Sequence, residues 1–231
     1  MSIATRTARA RKTRSPQWPI PTGLILLSMI PVLAGGARMS ELASGAVETA
    51  QNARFLDSPI PVIVHIVGVS IFSLLGAFQF VPSLRRHRTG WHRRAGRLLI
   101  PAGVAAALSG MWMAAFYPHP AGDGELLVVL RLIFGLAMLT SIGLAVRAIG
   151  RRNFVVHGDW MTRAYAIALG AGTQALVLIP ESIVFKPTDE LPRALCMGAG
   201  WVINLMVAEY VIHRRAQQSR QSNQSLGVVT P

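Results

Sequence analysis

The sequence predicts an all-α fold: a polytopic transmembrane helical bundle of about six helices, with both termini on the cytoplasmic side. Three observations carry this reading. The chain is 52% hydrophobic and only 14% charged, well below the roughly 25% charged residues usual in soluble domains. Its apolar residues collect into six stretches near the length of about 20 residues that a helix needs to cross a hydrocarbon core. Finally, 18 of its 23 Lys and Arg residues fall at the two ends and at alternate connections between those stretches, the pattern by which positive charge orients a multi-pass chain.

The net charge of +13 is thereby absorbed by membrane orientation, and the predicted partner is the lipid bilayer rather than nucleic acid. The single cysteine, Cys196, lies in an apolar run. That excludes an intrachain disulfide and any cysteine-based metal cage, and packing accounts for it.

The first span, 19–36, follows a lead carrying Arg6, Arg9, Arg11, Lys12 and Arg14. A basic lead, an apolar stretch and the small residues Ala34 to Ala37 also describe a secretory signal. The length of the lead and Pro19, Pro21 and Pro31 favour a retained anchor. The second span, 59–81, stops at Pro82, and a connection with Arg85, Arg86, Arg88, Arg93, Arg94 and Arg97 leads to the third, 98–117. Pro118 and Pro120 separate it from the fourth, 126–149, and Arg147, Arg151, Arg152 and Arg163 surround the start of the fifth, 161–183. Pro187 and Pro192 precede the sixth, 194–212, and Arg214, Arg215 and Arg220 follow it. The other three connections hold only Arg38, Arg54, Lys186 and Arg193 against seven of the ten acids. One transmembrane domain over 17–213 follows, flanked by polar tails, 1–16 and 214–231, predicted to be disordered.

Ionisable side chains inside a span are costly and usually face the bundle interior, so each is a candidate for function. On the second span His65, Gly68, Phe72, Gly76 and Gln79 share one stripe at 100° per residue. On the fifth, Arg163, Gly170, Gln174 and Glu181 do the same. Arg131 lies six residues into the fourth span. At about 1.5 Å per residue, His65, Arg131 and Gln174 come to similar depth, with Glu181 expected as Arg131's partner beside Pro180. A satisfied network holding three helices together is the plainer account; a ligand or cofactor pocket is the functional one. Gly96, Gly103 and Gly110 repeat every seven residues on the third span, a groove for a neighbouring helix or a planar ligand. Arg163 and Glu209 are expected to pair near the basic surface, and Asn204 to hydrogen-bond between helices.

The two basic connections resemble each other, Arg85-Arg86 then His92, Arg94 and Arg97 against Arg151-Arg152 then His157 and Arg163. A parallel repeat or convergence of two basic loops would each produce this. His92 and His157 stand at helix starts, where solvated or headgroup-facing histidine is the default; meeting across the bundle, they would be candidate ligands of a metal or haem. No phosphate-binding loop, zinc-protease helix, nucleophile elbow or dinucleotide fingerprint is present.

The segments Gly76-Ala77-Phe78-Gln79-Phe80, Trp91-His92-Arg93-Arg94-Ala95-Gly96-Arg97, Arg147-Ala148-Ile149 and His157-Gly158-Asp159-Trp160-Met161-Thr162-Arg163-Ala164-Tyr165 resemble a family of bacterial predicted membrane proteins, domain of unknown function number 2306. The resemblance covers about residues 60–180. His92, Gly96, Arg97, His157, Trp160, Met161, Arg163 and Tyr165 match its two His-Arg helix entrances, whereas Gly158 and Asp159 depart from the basic or polar residues usual there. The resemblance implies a helical architecture in a bacterial inner membrane and brings no activity with it.

The expected protein is therefore a multi-pass inner-membrane protein with candidate ligand- or cofactor-binding residues His65, Arg131, Gln174, His92, His157 and Arg163, and no catalytic residue. A small anionic or planar ligand suits that set. Haem or quinone redox chemistry, transport or ligand sensing, and a structural or assembly role are the rival readings. An enzyme acting on a soluble substrate is least favoured, because no nucleophile–base set is visible.

Overall fold

Prolines and apolar runs set the helix limits. A computed structural model describes residues 18–185 and 189–225, and the side chains of all of these except 85–87, 181, 223 and 225. The lead from Arg6 to Arg14, Lys186, Pro187 and the last residues of the C-terminal tail lie outside the described residues, as do the side chains of Arg85, Arg86, His87 and Glu181. Proline opens α1 (Pro19–Ala43), α3 (Pro59–Ala77) and α4 (Pro82–His87), where its missing N–H has no helical partner to lose. Between them lie α2 (Ala53–Asp57) and a single 3₁₀ turn, Phe78–Phe80. The chain continues through α5 (Thr89–Phe116), α6 (Glu125–Gly150), α7 (Phe154–Ala168), α8 (Gly170–Val184) and α9 (Glu190–Ser225). Among the described residues there is no strand.

Five helices are each long and apolar enough to cross a bilayer: α1, α3 with its 3₁₀ turn, α5, α6 and α9. The α7–α8 pair supplies a sixth crossing if taken together. Alternation of the crossings gathers Arg93, Arg94, Arg97, Arg147, Arg151 and Arg152 on one face, the basic face. The connections 44–58 and 117–124, with Phe185 and Asp189, lie on the opposite face.

The expected limits shift in three places. The fifth span is not one helix over 161–183: α7 starts at Phe154, and α8 leaves it at Leu169 with a bend of 41°. The cause is packing rather than Pro180, which sits farther along, inside α8. The indole of Trp201 occupies the space a side chain at Gly170 would need, and the α1 backbone at Leu27 occupies that of Gly172. Asn204 of α9 then serves the interrupted backbone, donating to the Ala166 carbonyl at 3.1 Å and accepting from the Thr173 hydroxyl at 2.7 Å. The third span starts earlier than expected, so His92, Arg93, Arg94 and Arg97 are helical. At the other end α9 runs past residue 213, so 214–225 are helix rather than irregular tail.

Helix α3 packs on α5, α5 on α6, α6 on α7 and α9, and α8 on α9. Helix α1 lies against α3 and α8, and α7 also reaches α3 and α9. Phe72, Leu99, Met138, Ile142, Tyr165 and Ile167 are buried at the centre. The glycine stripe of α5 lets these side chains in: a Cβ at Gly103 would lie 2.6 Å from Phe72 and 2.9 Å from Ile142, and one at Gly110 would lie 3.0 Å from His65. The groove is filled by the protein's own side chains there. Large apolar residues such as Leu26, Val67, Leu108, Leu136 and Met206 are exposed around the bundle, a surface suited to lipid rather than water.

Candidate functional site

Because α8 turns away after Leu169 and packs on α9 and α1, the half of the bundle toward the opposite face is left incompletely filled. A cavity of about 320 Å³ results. Its walls come from α3, α5, α6, the end of α7, α8 and α9, and its mouth from α2 and the connection after α5. His65, Arg131 and Gln174, which the spacing placed at similar depth, all line it.

Each of the three is anchored by its other end. The His65 Nδ1 lies 2.8 Å from the Ala106 carbonyl on α5; as that oxygen only accepts, Nδ1 carries a proton and donates to it. Gln174, 5% exposed, donates to the Met197 carbonyl at 2.9 Å. Gly200 makes this approach feasible, since a Cβ there would lie 2.7 Å from Gln174 Cγ. Phe134 and Trp201 stack at 4.7 Å on the wall between α6 and α9.

Arg131 pairs with Asp123; the side chain of Glu181, its expected partner, lies outside the described residues. The Arg131 Nη2 lies 2.8 Å from Oδ2 of Asp123, and Arg193 Nε lies 2.8 Å from the other carboxylate oxygen. Asp123 sits in the turn before α6, which Gly122 forms with a φ of +88°, a backbone region costly for other residues. Its side chain is 3% exposed. Burial would push this carboxyl up, but the Arg193 hydrogen bond and the Arg131 charge and hydrogen bond outweigh that and hold it below the usual carboxylate range.

Arg54 completes the mouth. Its Nη1 donates to the Pro118 carbonyl at 3.2 Å, its guanidinium lies 4.6 Å from the Phe55 ring centroid, and its buried Nε has no hydrogen-bond partner. Phe55 meets Tyr117 edge-on at 5.5 Å, and the Tyr117 hydroxyl donates to the Ser58 carbonyl. Of the charged side chains lining the cavity, Arg54 and Arg131 outnumber Asp123, an excess of positive charge above a largely apolar chamber; Arg193, paired with Asp123, and the carboxylate of Glu190, against Gly124, stand just outside the lining. Arg54 and Asp123 escape notice in the sequence, where they read only as loop charges. The available signal is that Arg54 is one of very few bases on otherwise base-poor connections, and that Asp123 stands between two glycines just before α6.

The remaining sequence candidates lie elsewhere. Arg163 and Glu209 pair as expected, with Nε to Oε1 at 2.5 Å and Nη2 to Oε2 at 2.9 Å, and the guanidinium stacks 4.5 Å from Trp160. This two-point pair clamps α7 to α9 near the basic face. His157 places Nδ1 3.1 Å from the Ala145 carbonyl of α6, and His92 lies in the first turn of α5. Among the described residues no group of three or more His, Cys, Asp or Glu side chains is arranged to hold a metal ion.

Residues 62–212, nearly two thirds of the chain, match a family model described as Predicted membrane protein (DUF2306). The match runs through α3 to α9 and so covers every helix that lines the cavity wall. No curated protein and no solved structure matches the chain significantly.

Proposed function

We propose that this chain, which belongs to the DUF2306 family of predicted membrane proteins, is a ligand-binding protein of the transporter or sensor class. Its ligand is a small amphipathic anion. The observation that carries this reading is the cavity itself: helices distant in sequence place His65, Arg131 and Gln174 on one chamber whose mouth holds more positive than negative charge. A mostly apolar chamber with a few convergent polar groups is the usual form of a small-molecule site. The unpartnered Arg54 Nε supplies a donor that a carboxylate or phosphate would satisfy. The broken α7–α8 pair beside the chamber has the form by which transporters bring helix ends to a binding site.

The same reading puts the basic face in the cytoplasm of a bacterium and opens the cavity on the far side of the inner membrane, following the excess of arginine on the basic face. A C-terminal green fluorescent protein fusion should be bright and a C-terminal alkaline phosphatase fusion inactive; the reverse pattern refutes that orientation.

The ligand reading is tested with hexanoate and hexanol on purified full-length protein. Hexanoate is expected to raise the thermal midpoint and hexanol, which lacks the charge, to raise it much less. Equal shifts would remove the role given to the arginines.

A further inference from the structure

A second cavity, of about 120 Å³, lies beneath α1, lined among others by Pro31, Val32, Ile66, Ser70, Leu169 and Gly172. It shares His65, Val69, Ala168 and Ala171 with the main chamber, so a single layer of side chains divides the two. Its outer wall is α1, where Pro31 and Val32 are half-buried and Leu33 is exposed. The contents of the two cavities differ in kind with depth. Arg54 and Arg131 lie at the mouth, whereas Ala107, Met138 and Ile167 line the main chamber farther in. A wholly hydrated anion gains nothing from that inner part, while a hydrocarbon chain does.

We propose that the ligand is a single-chain anionic amphiphile, a long-chain carboxylate drawn from the bilayer. Its head sits at Arg54 and Arg131, and its chain passes His65 and Val69 into the cavity beneath α1. This rests on the ligand pocket proposed above and adds the class of the ligand and the course of its chain. Four features support it. The charged mouth lies at the level of the connections on the opposite face, where lipid headgroups reside. The two cavities meet at His65, less than two turns from the start of α3. The break between α7 and α8 stands in the dividing wall, with Leu169 on one side and Gln174 on the other. Ala171, just after the break, is exposed and borders both cavities.

The test compares tritiated palmitate with tritiated hexanoate, bound to full-length protein in lipid nanodiscs and read by scintillation proximity. Ser70→Phe, on α3, and Val32→Phe, on α1, each fill the cavity beneath α1 from a different helix, so misfolding of one leaves the other informative. Palmitate affinity is expected to fall about tenfold or more in both, since losing burial of even two methylenes has that effect. Hexanoate, ten carbons shorter, is expected to stay in the main chamber and to bind both variants as it binds the parent. Unchanged palmitate binding in the two variants would overturn the proposal. Hexanoate bound by the parent without palmitate would also overturn it, leaving the pocket intact; a parent that holds neither sinks the pocket reading itself.

Discussion

Asp123 and Arg131, eight residues apart across the start of α6, meet at 2.8 Å with the carboxylate almost wholly buried. Arg193, from the first turn of α9, takes the second oxygen at 2.8 Å. One carboxylate therefore ties α9 to the start of α6 and orients Arg131 at the mouth of the main cavity. Everything proposed for that mouth depends on this arrangement.

Replacing Asp123 with Asn should destabilise the protein, because two guanidinium groups lose their shared partner. A fully buried pair broken on one side costs about 3–5 kcal/mol. With the Arg131 and Arg193 side chains 27% and 30% exposed, about 2 kcal/mol is expected here, solvent screening accounting for the reduction. Thermal unfolding in detergent measures it, and an unchanged midpoint would mean that the pair contributes nothing.

Acid should act through the same carboxylate. Its folded pKa is depressed by the two arginines, so the stabilisation is complete above the ordinary aspartate value of about 3.9. It is lost as pH falls from there through the lower folded value. The difference in midpoint between parent and Asp123→Asn should be constant from neutral pH down to about 4 and shrink below it. A difference that grows on acidification contradicts the assignment.

Asn204→Leu removes both hydrogen bonds that serve the α7–α8 break. Interhelical bonds in membranes are worth about 0.6–2 kcal/mol each, so a loss of about 1–3 kcal/mol is expected. Proteolysis or hydrogen exchange should locate the loosening in α8, next to Gln174, rather than in α3 or α5. Uniform loosening of all helices would argue against a local role at the break.

How far the sequence could anticipate this differs from residue to residue. The six crossings follow from apolar length and arginine placement, both strong one-dimensional signals. A constant rise per residue was enough to set His65, Arg131 and Gln174 at similar depth, and the structure puts all three on one cavity. It was not enough to find Asp123, which pairs with Arg131 from a turn where helical arithmetic does not apply; the side chain of Glu181, the partner expected from the spacing, lies outside the described residues. The break at Leu169 was equally hidden, because it comes from Trp201 and Leu27 pressing on Gly170 and Gly172. Only tertiary contact reveals that, and Pro180, the conspicuous breaker, stays inside α8.

The central claim, that the mouth arginines hold the anionic end of a ligand, is tested most directly by the hexanoate affinity of Arg54→Gln. Arg54 takes part in no ion pair among the described residues, and its hydrogen bond to Pro118 and contact with Phe55 are exposed or near the surface, so the variant should lower the thermal midpoint only slightly. Loss of one charge-assisted hydrogen bond corresponds to about 1.5–3 kcal/mol, or roughly a 10- to 100-fold weaker Kd. Binding that is as tight in Arg54→Gln as in the parent would contradict the account.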